Sequence, residues 1–555
     1  MIEGTVGLYL AFTFLASVAG LLMLIWSIST GQLGMGPDAP STIFAAHEKG
    51  QAEDPSARAQ SMEKLQSFLD DRSREDGTPH TDHDEVELRL AIDASVRRPV
   101  IYLACSAIVW LILGSVAGLW TSLKFHYPDW NAFTDFLTFG RLRPFHLNAV
   151  IYGWVSQAGM GVALWLSARI LKVPLRAVGS CIWGTHLWNL ALFWGLSAIL
   201  LGRSEGIEWL ELPWEVDAVL AISGGMIGIP ILRAVKERRV HHLYVSIWYI
   251  GAAFVWFPLL FLVANVPMIY SGVQHAIVNW WFAHNVLGLW ITPLGLGAAY
   301  YFIPKVLGKP IHSYQLSLLG FWGLALFYSQ VGMHHLIGGP VPTWLITLSI
   351  VTSVMMIAPV LAAAINHHMT MVGHFRALRF SPTLAFVVTG AMLYTLVSVQ
   401  GSFQSIRTFN TITHFTHATV AHAHLVVYGF ASFILFGSLY FILPRLAAWE
   451  WPFPRLIPLH YWLALSGIMV YFVGLSIGGV LQGLAMLNEK LPFQESVAVT
   501  LPYLWARSVG GGLMTLAHIV FGVHVCFLLA RAGAMRQAPA YRYIPKLGGR
   551  SSEGA

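Results

Sequence analysis

Charge is what this 555-residue chain has least of. Only 11% of its residues are Asp, Glu, Lys or Arg, against roughly a quarter in an ordinary soluble domain. With 56% hydrophobic residues, a single water-soluble globule is excluded. Thiols are scarce too: Cys105, Cys181 and Cys526 stand alone, so there is no CxxC pair, no CxxCH haem attachment and no paired-thiolate copper site. Any metal has to be held by other ligands. Carboxylates are nearly missing from the apolar runs, because about half of the 27 acidic residues are gathered between residues 29 and 97. The net charge of +6 does not signal nucleic acid, since Lys and Arg are scattered between apolar runs as positive-inside loops require.

What is present is long apolar sequence. A membrane-spanning helix needs about 20 mostly apolar residues. The run over 6–28 follows Glu3 rather than a basic segment and exceeds a signal-peptide core, so 1–28 reads as a retained transmembrane anchor. Residues 29–98 read as a polar, surface-exposed cytoplasmic insert. It carries one short amphipathic helix over 60–70, where Met62, Leu65 and Leu69 share a face, and a solvated charged loop around His80, Asp82, His83 and Asp84. From Pro99 onward, apolar runs at 99–121, 145–169, 178–201, 214–232, 243–265, 276–302, 313–337, 343–366, 382–404, 416–444, 457–485 and 503–531 predict a twelve-helix domain over 99–531. A basic cytoplasmic tail follows over 532–555. The basic gaps (Lys172 and Arg176, Arg233 to Arg239, Lys305 and Lys309, Arg376 and Arg379, Arg445 and Arg455, and the tail) fall on one side, which positive-inside bias makes cytoplasmic. The expected fold is an all-α polytopic membrane protein, a twelve-helix core preceded by one extra helix; no internal repeat stands out.

Histidine is the available ligand, with 23 copies. Six cluster at one depth. His146 starts the second core helix, His284 lies early in the sixth, His334 and His335 end the seventh, and His422 and His424 begin the tenth. The alternating topology places all six in the outer part of the membrane, where polar side chains are costly and demand a function. Residues two apart on a helix point about 200° away from each other. His422 and His424 therefore serve two groups on opposite faces, such as two haems, with His146 completing the axial pair of one of them. The other haem is then five-coordinate, beside three imidazoles (His284, His334, His335) that suit copper or non-haem iron. Tyr328 precedes His335 by seven residues, so a continuous helix would bring a phenol to the same face about 10 Å further inward. Tyr314 and Ser317 continue toward the cytoplasmic end as hydroxyls able to pass protons. Isolated histidines such as His186, His312, His414 and His518 read as hydrogen-bonding links between helices.

These residues resemble a known family, the catalytic subunits of cbb3-type cytochrome c oxidases, the C-type haem-copper oxidases. The resemblance covers 99–531 and rests on FGRLRPFH with Asn148, WWFAHN, the SYQLS…FYSQVGMHH run, the SIR…TVAHAH run and the WARSVGG segment around Arg507. It implies a low-spin haem b ligated by His146 and His422, and a high-spin haem b3 on His424. It also implies a copper ion on His284, His334 and His335, with Tyr328 as a redox-active tyrosine joined covalently to His284. Arg141, Arg143 and Arg507 become candidates for propionate contacts, and Glu208 of the Glu208 and Glu211 pair a candidate calcium ligand. The implied activity is reduction of O2 to water with electrons from cytochrome c-bearing partner subunits, coupled to proton translocation, in a bacterial inner (plasma) membrane.

The sequence departs from the family pattern in places. Gln400 stands where these oxidases carry Glu, and Gly320 replaces a polar residue expected on the inner half of the seventh helix. The anchor and insert are additional, although IWSISTGQL faintly resembles the small assembly protein of these oxidases. A second enzymatic reading is nitric oxide reductase, with non-haem iron in place of copper. Those enzymes resemble this chain but carry Glu one turn after the first metal-binding histidine, where Gly288 stands here, and lack the tyrosine matched by Tyr328. A transporter or redox-dead paralogue would show broken ligand sets or central carboxylates, and neither is seen.

Overall fold

Inside a bilayer every backbone polar group must be paired within the protein, which leaves helices as the natural element for so apolar a chain. The computed structural model describes residues 18–533 apart from 35, 37–38, 46–47, 71–82 and 266–269, and among them no strand occurs. His80 and Asp82, residues 1–17 of the anchor and 534–555 of the tail lie outside the described residues.

The described helices are α1 (Val18–Ser29), α2 (Ala59–Asp70), α3 (His83–Leu123), α4 (Phe139–Leu171), α5 (Val178–Leu200), α6 (Trp214–Glu237), α7 (Val245–Ala264) and α8 (Val273–Leu307). They continue as α9 (Tyr314–Phe327), α10 (Thr343–Met371), α11 (Pro382–Ser405), α12 (Arg407–Thr413), α13 (His417–Ala447), α14 (Leu456–Met486) and α15 (Leu501–Leu529). Among the described residues, eleven segments are long and apolar enough to cross a membrane. The twelfth predicted run is α5, a helix of 23 residues whose apolar content is diluted by His186 and Asn189.

Three of these helices lie almost wholly inside the bundle: α4, α8 and α13 are buried over 94%, 94% and 89% of their most apolar windows, against 39% for α14. Each contains a π-helical segment in its middle: Ala149–Val155, Val286–Ile291 and Leu425–Ser432. Each ends in a left-handed residue, Lys172, Gly308 or Ala448. The structure thus repeats an architectural unit that the sequence did not reveal, because the shared feature is backbone geometry rather than residue identity. In every case the π segment follows a histidine of the predicted site by one to three residues: His146, His284 and His424. Widened turns of this kind recur where helices carry functional groups.

Two expectations are corrected here. The boundary at 98/99 is not a break: α3 runs unbroken from His83 through Pro99 to Leu123. Nor is the insert simply surface-exposed. Its α2 buries Met62, Leu65 and Leu69, the face expected from their spacing. Its acidic residues reach into the core: Glu48 pairs with Lys305 and Arg89, and Glu53 with Arg445. Lys305 and Arg445, on the last turns of α8 and α13, would be buried without counter-charge otherwise, a far costlier state than the pair. Asp54, fully buried, accepts hydrogen bonds from Ser56 N and Oγ (2.9 and 2.7 Å), Thr383 N and Oγ1 (3.1 and 2.8 Å) and Ser381 Oγ, tying the insert to the start of α11. Ahead of it, Gln32 bridges His241 O and Leu243 N, and Trp26 of α1 packs on Trp248 of α7. The outer face of α1 presents Leu21, Leu22, Ile25 and Ile28, as lipid contact requires.

Removing the Asp54 carboxylate leaves several buried donors unpaired. Asp54→Ala should destabilise the docked insert by about 2–4 kcal/mol, read as protease cleavage within 29–98 of the folded protein. Burial pushes the Glu53 carboxyl up, but Arg445 and Lys305 outweigh it and hold the pKa at about 2. The stabilisation is therefore complete above the unfolded value near 4.5 and is lost as pH falls toward 2. Cleavage of the insert should rise across that interval and not between neutral pH and pH 5.

Candidate functional site

The histidines converge because α4, α8 and α13 bring their N-terminal halves together around one internal cavity of about 480 Å³. It is lined by all six histidines with Tyr328, Arg143, Glu208 and Arg507. His284, His334 and His335 form a trio whose ligand atoms lie within 4.8 Å of one another. Their ring centroids are 5.0, 5.5 and 4.5 Å apart. His334 Nδ1 lies 3.2 and 3.1 Å from the hydroxyls of Ser349 and Ser353 on α10, which orients the ring. His335 stacks on Trp280 at 4.3 Å. His284 Nδ1 is buried with no protein partner. Three converging imidazoles, one with an orphaned nitrogen, fit a nitrogen-ligated transition metal.

The route by which Tyr328 reaches this trio differs from expectation. The 313–337 run is not one continuous helix: α9 stops at Phe327, and two short 3-10 turns, Tyr328–Gln330 and Met333–Leu336, carry the tyrosine and the two histidines. Between them Gly332 has φ +130, and a Cβ there would stand 2.6 Å from the Trp280 carbonyl, so only glycine fits. Ser349 Oγ takes up the freed backbone N–H groups of Gly332 and His334, each at 3.1 Å. Tyr328 therefore does not lie a helical repeat below His335. It lies beside His284, ring centroids 5.1 Å apart. Its ring rests on Gly288, where a Cβ would come within 1.7 to 2.2 Å of ring carbons. Sequence reasoning missed Ser349 and Ser353; their four-residue spacing on one helix was the available signal.

The member of the HxH pair that meets His146 differs from the expectation. His146 and His424, not His146 and His422, face each other across the cavity, with near-parallel rings (13°) and centroids 6.1 Å apart. His146 Nδ1 donates to Gly114 O (2.7 Å) and His424 Nδ1 to Val420 O (2.9 Å), leaving Nε2 of each for the cavity. The gap accommodates one metal with two bonds of roughly 2 Å. The Tyr471 ring lies against His424, its hydroxyl 3.2 Å from Nε2. His422 points the other way round the helix, its Nδ1 3.2 Å from Gln400 Oε1. The opposed faces were read correctly from the spacing; which face meets His146 depends on how α13 is rotated against α4, and spacing does not encode that.

Of the three arginines, Arg143 and Arg507 line the cavity. Arg507 lies over the Phe125 ring at 4.6 Å with its Nε buried and unpaired. Arg141 does not reach the cavity: its guanidinium donates to Leu200 O (2.9 Å) and lies 3.9 Å from Asp135, because it stands two residues and so about 200° from Arg143. Arg143 pairs with Glu208 at 2.6 Å. That pairing engages the carboxylate expected to bind calcium, and among the described residues no cluster of three acidic groups lies there. The residues present do not by themselves make a calcium site. Glu211, in the loop before α6, accepts from Asn148 (2.9 Å), and burial pushes its carboxyl up to about 7.

At the start of α9, Tyr314 lies 2.8 Å from His242 Nε2 and donates to Leu243 O at 3.0 Å, while Ser317 donates to Tyr314 O. His242 was not anticipated. One turn on, Gly320 leaves a hollow that the unpaired hydroxyls of Tyr249 and Tyr300 face, at 3.2 and 3.6 Å from where a Cβ would be. His414, expected to link helices, lines the main cavity.

Comparison with known proteins agrees with this architecture. The family described as Cytochrome C and Quinol oxidase polypeptide I matches residues 98–513. The cbb3-type cytochrome c oxidase subunit CcoN1 of Stutzerimonas stutzeri is 30% identical over 436 residues, 75% of this chain and 91% of that one. Cytochrome c oxidase subunit 1 of Rhodobacter capsulatus is 31% identical over 446 residues, covering 76% and 83% of the two chains. A solved heme-copper terminal oxidase dimer shares the fold, with a TM-score of 0.63 at 16% identity over 82% of this chain and 86% of that chain. A family match spanning most of the chain, laid over an interior in which six histidines share one cavity, establishes that the chain belongs to the cytochrome c and quinol oxidase polypeptide I family and is a cbb3-type subunit I, a haem-copper cytochrome c oxidase subunit.

Proposed function

We propose that this subunit reduces O2 to water as the terminal step of a bacterial respiratory chain, in the plasma membrane, with electrons arriving from cytochrome c-bearing partner subunits and with proton translocation. His146 and His424 would hold a low-spin haem b, His422 a high-spin haem b3, and His284, His334 and His335 one copper ion. When bound, these groups supply the electrons and the open coordination position that O2 reduction needs. The chain's own residues do the rest. Ser349 and Ser353 fix the His334 ring, and backbone carbonyls fix His146 and His424, so that the ligand nitrogens are presented in one orientation. Gln400 accepts the Nδ1 proton of His422 as a neutral amide, which leaves that imidazole a poorer electron donor than a carboxylate would. Tyr328 places a phenol beside the trio, a source of one proton and one electron at its hydroxyl. Protons from the cytoplasm would enter at His242 and Tyr314, pass Ser317 and the Tyr249 and Tyr300 hydroxyls around Gly320, and replenish Tyr328.

The observation that carries this reading over nitric oxide reduction is the seat of Tyr328 on Gly288. A Glu at 288, which a nitric oxide reductase would need there, would occupy the space of the tyrosine ring. Phenol and carboxylate exclude one another at this point.

Three expectations follow from these roles. His424→Ala should abolish the low-spin absorption signal, whereas His422→Ala should abolish the high-spin, CO-binding signal; the opposite pattern would restore the reversed assignment. Tyr328→Phe removes one hydroxyl with little change in packing. It should keep both haem spectra while O2 turnover falls by about two orders of magnitude or more. An O2 rate left at the wild-type level would refute the role. Gly288→Ala drives a methyl into the Tyr328 ring, so it should reproduce the turnover loss of Tyr328→Phe with the low-spin spectrum intact.

A further inference from the structure

Gln32 lies well outside the region that the family matches, which begins at residue 98, yet its side chain is almost wholly buried against the core, with 1% of its surface exposed. Its direction is set by how α1 ends. Gly31 takes a left-handed φ of +70, its N–H donates to Ile28 O (3.1 Å), and Gln32 N donates to Ser27 O (2.8 Å), the bond pair of a glycine-terminated helix. The chain turns there, and the Gln32 side chain meets the segment that joins α6 to α7.

That segment, 238–244, forms no helix, so its main-chain groups need partners from elsewhere. Gln32 supplies two. Its Nε2 donates to His241 O (3.0 Å), and Leu243 N donates to its Oε1 (2.9 Å), so one primary amide presents the donor and acceptor that a neighbouring strand would offer. Among the described residues neither His241 O nor Leu243 N has another partner. A second contact of α1 reinforces the first: Trp26 packs on Trp248 at 6.2 Å, and Trp248 Nε1 donates to Leu243 O (3.0 Å).

The residue held between the two Gln32 bonds is His242. Tyr314, itself buried, spends its single hydroxyl proton on Leu243 O (3.0 Å), so its oxygen accepts from His242 Nε2 (2.8 Å). Both hydrogen bonds of this phenol therefore end on residues 242 and 243, in the segment that Gln32 fixes. Without the Gln32 amide, the 241 carbonyl and the 243 N–H lose their partners, and the segment has to shift to find others. We propose that Gln32 is a positioning residue for proton entry: it holds the 241–243 main chain so that the His242 imidazole stays against the Tyr314 hydroxyl. It touches no reacting atom and acts only through His242. The N-terminal helix thus has a part in the reaction besides anchoring the chain.

This rests on the proton entry proposed above, and the test separates the two. O2 turnover of the purified complex is measured per CO-binding haem, so that unassembled chains do not count, for wild type, Gln32→Met, Gln32→Ala, His242→Ala and the double variant of Gln32→Met with His242→Ala. Met keeps the length of the side chain and removes both hydrogen bonds; Ala removes the bulk as well. Each Gln32 variant should slow turnover by about tenfold with both haem spectra unchanged. In the His242→Ala background, which is itself slow, Gln32→Met should cost less than about a further twofold, because the two residues act through one contact. A Gln32→Met complex at the wild-type rate overturns the positioning role. So does a full further loss in the His242→Ala background, which is the mark of a merely structural side chain. A His242→Ala complex at the wild-type rate overturns entry at His242, and the role of Gln32 with it.

Discussion

The structure depends on one constraint: six imidazoles must line one cavity in an apolar interior where backbone polar groups have to be paired within the protein. A buried nitrogen without a partner, such as His284 Nδ1, costs about 1–3 kcal/mol, which a metal bound at the trio would offset. The three wholly buried helices meet both demands. Their π segments shift the register of side chains after His146, His284 and His424 without breaking the hydrogen-bonded backbone. The outer helices then serve mainly to exclude lipid and to supply orienting hydroxyls such as Ser349 and Ser353.

From that constraint follows the one place where regular helix gives way. To seat His334 and His335 opposite His284, the chain leaves α9 at Phe327, and the turn through Gly332 needs both a left-handed glycine and the Ser349 hydroxyl to satisfy its amides. The same departure drops Tyr328 onto Gly288. A phenol beside the metal-binding trio is thus a product of the break, and the absence of a side chain at 288 is what admits it. In the function proposed above, the volume of a single residue favours oxidase over nitric oxide reductase chemistry.

Much of this was legible beforehand. Helix positions followed from apolar run length, because the bilayer sets that length, and the six histidines stood out because their cost in lipid is high. The opposed faces of His422 and His424 followed from the helical repeat. What spacing along one helix does not contain is the rotation of that helix against its neighbours, so which member of the HxH motif faces His146 was not legible. Tyr328 was placed on a helical face that the break at Phe327 removes. Arg141 and Arg143 were treated alike although they point apart. The insert read as solvated because its acids are numerous; that Glu48, Glu53 and Asp54 bury themselves against Lys305, Arg445 and α11 is a long-range fact, invisible to local composition.

The insert and α1 give this chain something outside the region matched by the family, which begins at residue 98. Through Glu48 and Glu53 the insert pairs with Lys305 and Arg445 and braces the last turns of α8 and α13, two of the three helices that carry the site. The central proposal, that His146 and His424 would hold one haem, His422 a second, and His284, His334 and His335 a copper ion, is tested most directly by the metal content of the purified subunit once the contribution of any co-purified haem protein is subtracted. The account predicts two haem irons and one copper per chain, with the copper lost in His284→Ala while both haems stay. Iron in place of copper, or copper retained without His284, would contradict it.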